Sequence, residues 1–176
     1  MPDDLRISSA SYDDLPEVAR IHVAAWKQAY AGQVPQFYLD NLDVAERLRR
    51  WQEQFPNREL SGLLIARVNN TGAGFVCFGR GRDEDRQDWG EIYAIYVLEA
   101  YWGSGVGYRL YQDACAELKG NGFVRVFLWV LDTNRRAIAA YRRWGGMVQG
   151  DRLKDHVISG QVLKEISILF SIELPN

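Results

Sequence analysis

The chain has 176 residues, 47% hydrophobic and 25% charged, which suits one domain with a core of its own and no metal or disulfide staple. Lysine and arginine total 21 against 23 acidic residues, a net charge of −2, so no basic surplus exists for general nucleic-acid binding. No apolar run reaches membrane-spanning length, no signal-peptide pattern opens the chain, and Cys77 and Cys115 lack metal-ligand spacing. The expectation is a single domain over 1–176, cytoplasmic, with no metal, no membrane partner and both cysteines buried as thiols in a reducing compartment.

In chain order, "LRISSA" (5–10) predicts a first strand. Ser11 with Asp14 three residues on is a helix start, and Leu15, Val18, Ala19, Ile21, His22, Ala25, Trp26 and Ala29 follow at helical spacing. A second helical region is predicted from Pro35 to Gln54, with Phe37, Leu39, Leu42, Leu48 and Trp51 as packing residues. "SGLLIARV" (61–68) and "AGFVCFGR" (73–80) read as strands joined by an "NNTG" hairpin turn. The charged run 81–88 reads as an exposed loop, and "WGEIYAIYV" (89–97) as a longer strand. A helix is expected over 105–119, then "FVRVFLWVL" (123–131) as the most apolar strand, placed inside the sheet. Thr133 or Asn134 caps the next helix, which "GG" closes. Strands near 146–151 and 164–174 end the chain, with "KDHVISGQ" as a variable loop between them. The order predicts a mixed sheet in which the strand–helix–strand unit from 90 to 131 is parallel. The arginine runs at 47–50 and 134–136 read as solvated faces.

One stretch asks for more than packing. "WGSGVG" (102–107) follows a strand and opens a helix, and its glycines would let a ligand come close to helix-terminal N–H groups. The spacing is neither a Rossmann fingerprint nor a P-loop. On the loop alone, a phosphate cradle and a plain tight turn are equally good readings.

The downstream sequence "NRRAIAAYRRWGG" (134–146) shifts that balance. Together with "WGSGVG" it resembles the GCN5-related N-acetyltransferase (GNAT) superfamily, whose glycine-rich loop precedes an Asn-x-x-Ala-x-x-x-Tyr-x-x-x-Gly-Phe segment by one helix and one strand. The element order extends the resemblance from about residue 5 to the C-terminus. It implies an α/β fold: a mostly antiparallel sheet of about seven strands flanked by helices, with the fourth and fifth strands splayed. It also implies acetyl-CoA as cosubstrate. Pantetheine would pair with Ile95, Tyr96 and Val97 in the splay, and the diphosphate would sit on the amides of Trp102, Gly103, Ser104, Gly105, Val106, Gly107 and Tyr108. Asn134 matches the position that contacts the pantetheine arm, and Tyr141 the tyrosine that protonates the leaving thiolate. A free strand N–H would meet the negative charge that develops on the thioester oxygen.

The general base is open on the residues. Glu91 is either a base acting through water or a strand-end carboxylate, and Glu91, Tyr93, Ile95 and Val97 are expected on one face. The family's alternative glutamate, on the fifth strand, falls at Trp129 here. His22 and His156 are weaker alternatives, His22 reading first as a packing residue. Two positions depart from the family pattern: Trp102 stands for an Arg or Gln, and Gly146 for a Phe whose pocket Met147 would fill. The expected activity is transfer of acetyl from acetyl-CoA to a primary amine, of a small molecule in the first reading. A protein or peptide amine, or a non-catalytic acetyl-CoA-binding module, is the alternative. Trp26, Tyr30, Phe37 and Tyr38 would line the acceptor pocket, with Trp26 and Phe37 better read as packing. A homodimer would use the apolar "ISILF" of the last strand.

Overall fold

Alternation, caps and turn residues place the elements close to where the sequence puts them. The computed structural model describes residues 1–55 and 61–172. The strands are β1 (Leu5–Ser9), β2 (Ser61–Val68), β3 (Thr71–Arg80), β4 (Gly90–Val97), β5 (Arg125–Leu131), β6 (Met147–Ile158) and β7 (Gln161–Ser171). The helices are α1 (Leu15–Ala29), α2 (Gln36–Asp40), α3 (Val44–Gln54), α4 (Val106–Gly120) and α5 (Arg135–Arg143). The Ser11 N–H and hydroxyl both donate to Asp14, at 2.7 and 2.8 Å, and lock a single 3-10 turn that runs into α1. Asn69 and Asn70 both take left-handed φ, +51° and +61°, which is the backbone that a two-residue hairpin needs.

The strands form one seven-stranded sheet in the order β1-β2-β3-β4-β5-β7-β6, antiparallel except for β4 beside β5. One face packs under α4 and α5 through Leu64, Val76, Phe78, Val126, Leu128 and Ile168. The other packs under α1 and α3 through Leu63, Ile65 and Phe75. A third cluster, Val34, Leu39, Leu131, Ile158 and Leu163, joins α2 to the far strands.

Several expectations are corrected. The helix expected over 35–54 is two helices, because Asp43 takes an extended backbone and caps α3 by accepting from the Glu46 N–H at 2.8 Å. Phe37 is 75% exposed rather than packed. The "variable loop" holding His156 is strand: β6 and β7 form one long hairpin that turns at Ser159–Gly160, both with positive φ. β7 lies between β5 and β6, and Ile168 and Phe170 of "ISILF" are core residues, while Ile166 and Leu169 are half-buried. The expected end of that strand, residues 173 and 174, lies outside the described residues. Cys115 is buried as expected, but Cys77 only half-buried.

The charged run 81–88 is not simply exposed. Arg86 is 1% exposed, its guanidinium lying against the rings of Trp89, Phe127 and Trp129 while one N–H donates to the Ser167 hydroxyl at 2.8 Å. Aromatic faces accept a cation, which lets an arginine anchor this loop under the sheet.

The detail that shapes the site is a bulge. Cys77 of β3 pairs with Ala94 but Phe78 with Ile92, so Tyr93 is an extra residue on β4. The extra residue reverses the alternation. Ile92, Ile95 and Val97 share the α4 face, whereas Ala94 and Tyr96 join the α1 face. Glu91 therefore does not share a face with Ile95 and Val97, contrary to the unbroken period of two.

Candidate active site

β4 and β5 pair at Gly90–Val126, Glu91–Phe127 and Ile92–Leu128, and then part. β4 continues to Val97 and β5 to Leu131 with no further pairing to each other, so the sheet opens into a wedge. The Leu98 N–H donates to Ala73 of β3 at 2.9 Å. By strand alternation the backbone groups of Tyr96 also face β3, and those of Ile95 and Val97 face the gap. Of the three residues expected to offer backbone there, Ile95 and Val97 point the right way, while Tyr96 contributes its ring to the cavity wall.

The wedge is a cavity of about 320 Å³, within the range of small-molecule sites. The glycine loop lies at its open end, beyond Val97. Gly103 and Gly105 take φ of +74° and +94°, and a side chain added at Gly103 would meet open space, so the backbone conformation and not crowding calls for glycine. Gly105 leads directly into α4, whose first N–H groups have no intrahelical partner. Ser104 turns its hydroxyl to the Tyr101 carbonyl at 2.6 Å. Trp102 turns inward, its indole N–H donating to the Val97 carbonyl at 2.8 Å.

α5 forms the opposite wall. Asn134, 5% exposed, caps the helix by accepting from the Ala137 N–H at 3.2 Å, which decides the cap between Thr133 and Asn134. One, two and three turns on, Ala137, Tyr141 and Trp144 line the same cavity. Tyr141 is 8% exposed, and burial pushes its phenol above the ordinary range, so it holds its proton at neutral pH. The Gly146 position shows why a phenylalanine is not tolerated here: an added Cβ would lie 2.6 Å from Ile168 and 2.7 Å from Phe170. Phe170 fills the space, and Met147, expected there, is 65% exposed.

On the α1 face the wall is aromatic. Tyr30, Tyr93, Tyr96 and Trp129 line the cavity, and Trp26 and Tyr38 stand behind Tyr30 and Tyr96. The Tyr30 and Tyr96 hydroxyls are hydrogen-bonded to each other, and burial raises both phenols. His22 stacks on Tyr96 at 5.1 Å between centroids and accepts the Trp51 indole N–H at 3.2 Å. Burial lowers its pKa to about 3, so it is a neutral packing residue with its acceptor engaged. His156 lies on β6, 3.7 Å from Glu165.

Glu91 stands apart from the cavity wall. It is 1% exposed and accepts from the Arg82 backbone N–H at 2.9 Å and from its guanidinium at 3.1 and 2.6 Å. No aspartate or glutamate is among the described residues that line the cavity. Sequence reasoning missed Arg136, which lines the cavity and lies flat on the Trp102 ring, 3.5 Å from its centroid. The available signal was its place one turn before Ala140 on the helix that carries Tyr141.

The family described as the acetyltransferase (GNAT) family matches residues 21–146. The chain belongs to it. An N-acetyltransferase of Bacillus subtilis, YuaI, is 30% identical over 163 residues, covering 92% of this chain and 90% of the relative. In fold, this GNAT acetyltransferase is similar to the N-acetyltransferase of Staphylococcus aureus Mu50 (TM-score 0.74, 18% identity, 97% and 100% covered). It is similar too to yncA, a putative acetyltransferase from Salmonella typhimurium solved with its cofactor acetyl-CoA (TM-score 0.71, 17% identity, 99% and 97% covered).

Proposed function

We propose that the protein transfers the acetyl group of acetyl-CoA to the primary amine of a small molecule, by direct attack of the amine on the thioester. The observation that carries the reading is the wedge itself: a strand edge with open backbone groups, a glycine loop at a helix N-terminus beyond it, and a buried protonated tyrosine on the facing wall. These residues fit acetyl-CoA. The backbone of Ile95 and Val97 would hold the pantetheine amides, with the Val97 carbonyl shared with Trp102. The amides from Trp102 to Tyr108 would hold the diphosphate, and Asn134 would meet the pantetheine arm. The bound cosubstrate supplies an activated acetyl group.

The chain's own residues then do two things. A β4 N–H facing the gap stabilises negative charge on the thioester oxygen. Tyr141 keeps its proton on Oη until the sulfur departs, and its raised pKa secures the protonated form. For the proton shed by the amine we retain Glu91. Because Arg82 holds both its oxygens, it would act through bridging water and not by contact.

The aromatic wall and the absence of a carboxylate among the described lining residues favour a small amine with apolar surface over a polyamine. We place the single domain in the cytoplasm; no described helix is long and apolar enough to cross a membrane. A homodimer would not rest on the buried Ile168 and Phe170, and light scattering tests for it. The test of the main reading is calorimetric titration with acetyl-CoA and CoA, followed by an amine screen read by thiol release. Absence of binding at millimolar cofactor would end the enzyme reading. Binding with no turnover on small amines, but turnover on peptides, would move the acceptor to the peptide class.

A further inference from the structure

We propose that Arg136 supplies the guanidinium contact to the cofactor's diphosphate, reaching the glycine loop from the opposite wall of the wedge and aimed by the Trp102 ring. The inference rests on the reading of the cavity as an acetyl-CoA site. Residues 101–108 contain no lysine or arginine. The one hydroxyl among residues 102–107, that of Ser104, is turned back to Tyr101, and the next cation, Arg109, is bonded to Asp113 at 2.9 Å. From the loop itself a diphosphate would meet backbone N–H groups alone.

Arg136 is placed to complete that site. Its guanidinium lies flat on the Trp102 indole, 3.5 Å from the ring centre, and the indole is itself pinned by its bond to the Val97 carbonyl. Stacking occupies the guanidinium face and leaves its edge N–H groups for an anion. Among the described residues no carboxylate lies within 4 Å of it. It is also the second residue of α5, where the positive end of the helix dipole disfavours a cation unless an anion joins it. The side chain is exposed at the cavity wall, open to a ligand. Arg143, the other arginine on that wall, lies seven residues on, next to Trp144, whose ring packs against Gly107 and Tyr108 at the start of α4.

Calorimetry on the wild-type protein, R136Q and R136K with CoA, dephospho-CoA and pantetheine tests this. R136Q is expected to weaken CoA and dephospho-CoA alike, by about 10- to 100-fold, the range of a charge-assisted contact, and to leave pantetheine unchanged. R136K keeps the charge without the planar stack and should fall between; it carries the comparison if R136Q does not fold. Equal weakening of pantetheine would make Arg136 a wall of the channel and overturn the proposal. So would a loss confined to CoA, which would assign the contact to the 3′-phosphate, or no loss at all. If the wild-type protein binds none of the three, the acetyl-CoA reading fails; tight wild-type binding undiminished in R136Q defeats this proposal alone.

Discussion

The two walls of the wedge are built on different principles. The side toward α4 and α5, where the glycine loop and α5 stand opposite each other, offers mostly backbone, one buried phenol and Arg136: Gly103 and Gly105 at positive φ, the start of α4, then Asn134 and Tyr141. The wall toward α1 is made of rings, with Tyr30 and Tyr96 on the cavity and Trp26 behind them. A backbone site fixes glycines and a cap at set spacing. A ring site can be assembled from any elements that bring aromatic side chains together. The first wall therefore writes a motif into the sequence and the second does not.

Four substitutions test this division. The largest effect is expected for Tyr141→Phe, which removes the proton donor and keeps the ring. Turnover should drop by about 100- to 10,000-fold with acetyl-CoA affinity unchanged within about twofold, measured by thiol release and calorimetry. Unchanged turnover would take catalysis away from the α5 wall. Next is Gly146→Phe, which restores the residue typical of the family. With Ile168 and Phe170 already in the space, it should destabilise the fold by about 1–3 kcal/mol or more in denaturant melts. A stabilised variant would show that the region repacks freely.

Acid should act on the ring wall. The folded-state pKa of His22 lies near 3, below its unfolded value of about 6.5. Between those limits the unfolded chain binds more protons, so its contribution to stability is complete above about pH 6.5 and fades as pH falls toward 3, by a few kcal/mol at most. His22→Gln should flatten that part of the stability profile; an unchanged slope would place the acid sensitivity elsewhere. The smallest effect belongs to Tyr30→Phe, which deletes the hydroxyl bonded to Tyr96. A rise of a few fold in KM for the amine is expected, with cofactor affinity unmoved. A change in cofactor affinity instead would mean that the two walls are not separate.

Element order was legible because caps, turns and strand alternation are local: Ser11 with Asp14, Asn69 with Asn70, and the apolar run 125–131 each act over a few residues. The bulge at Tyr93 was not, since a period of two runs through "EIYAIYV" unbroken and the extra residue exists only against β3. The β6–β7 hairpin was missed because β6, an edge strand exposed along most of its length, reads as polar loop. Arg86 was hidden among six charged or amide neighbours in the run 81–88, and its burial depends on three rings, two of them from β5. At the site, Tyr141 and the loop glycines followed from spacing. The engagement of Glu91 by Arg82 and the Arg136–Trp102 stack needed the third dimension.

The short pairing of β4 with β5 bears on how the molecule comes apart. Between those two strands, three residue pairs join the first four strands of the sheet to the last three. Backbone amides on the two sides of one strand should then record very different lifetimes. In deuterated water the N–H groups of Tyr96 and Leu98, turned to β3, would outlast those of Ile95 and Val97 next to them. A bound cofactor would erase the contrast by giving the second pair its missing neighbour.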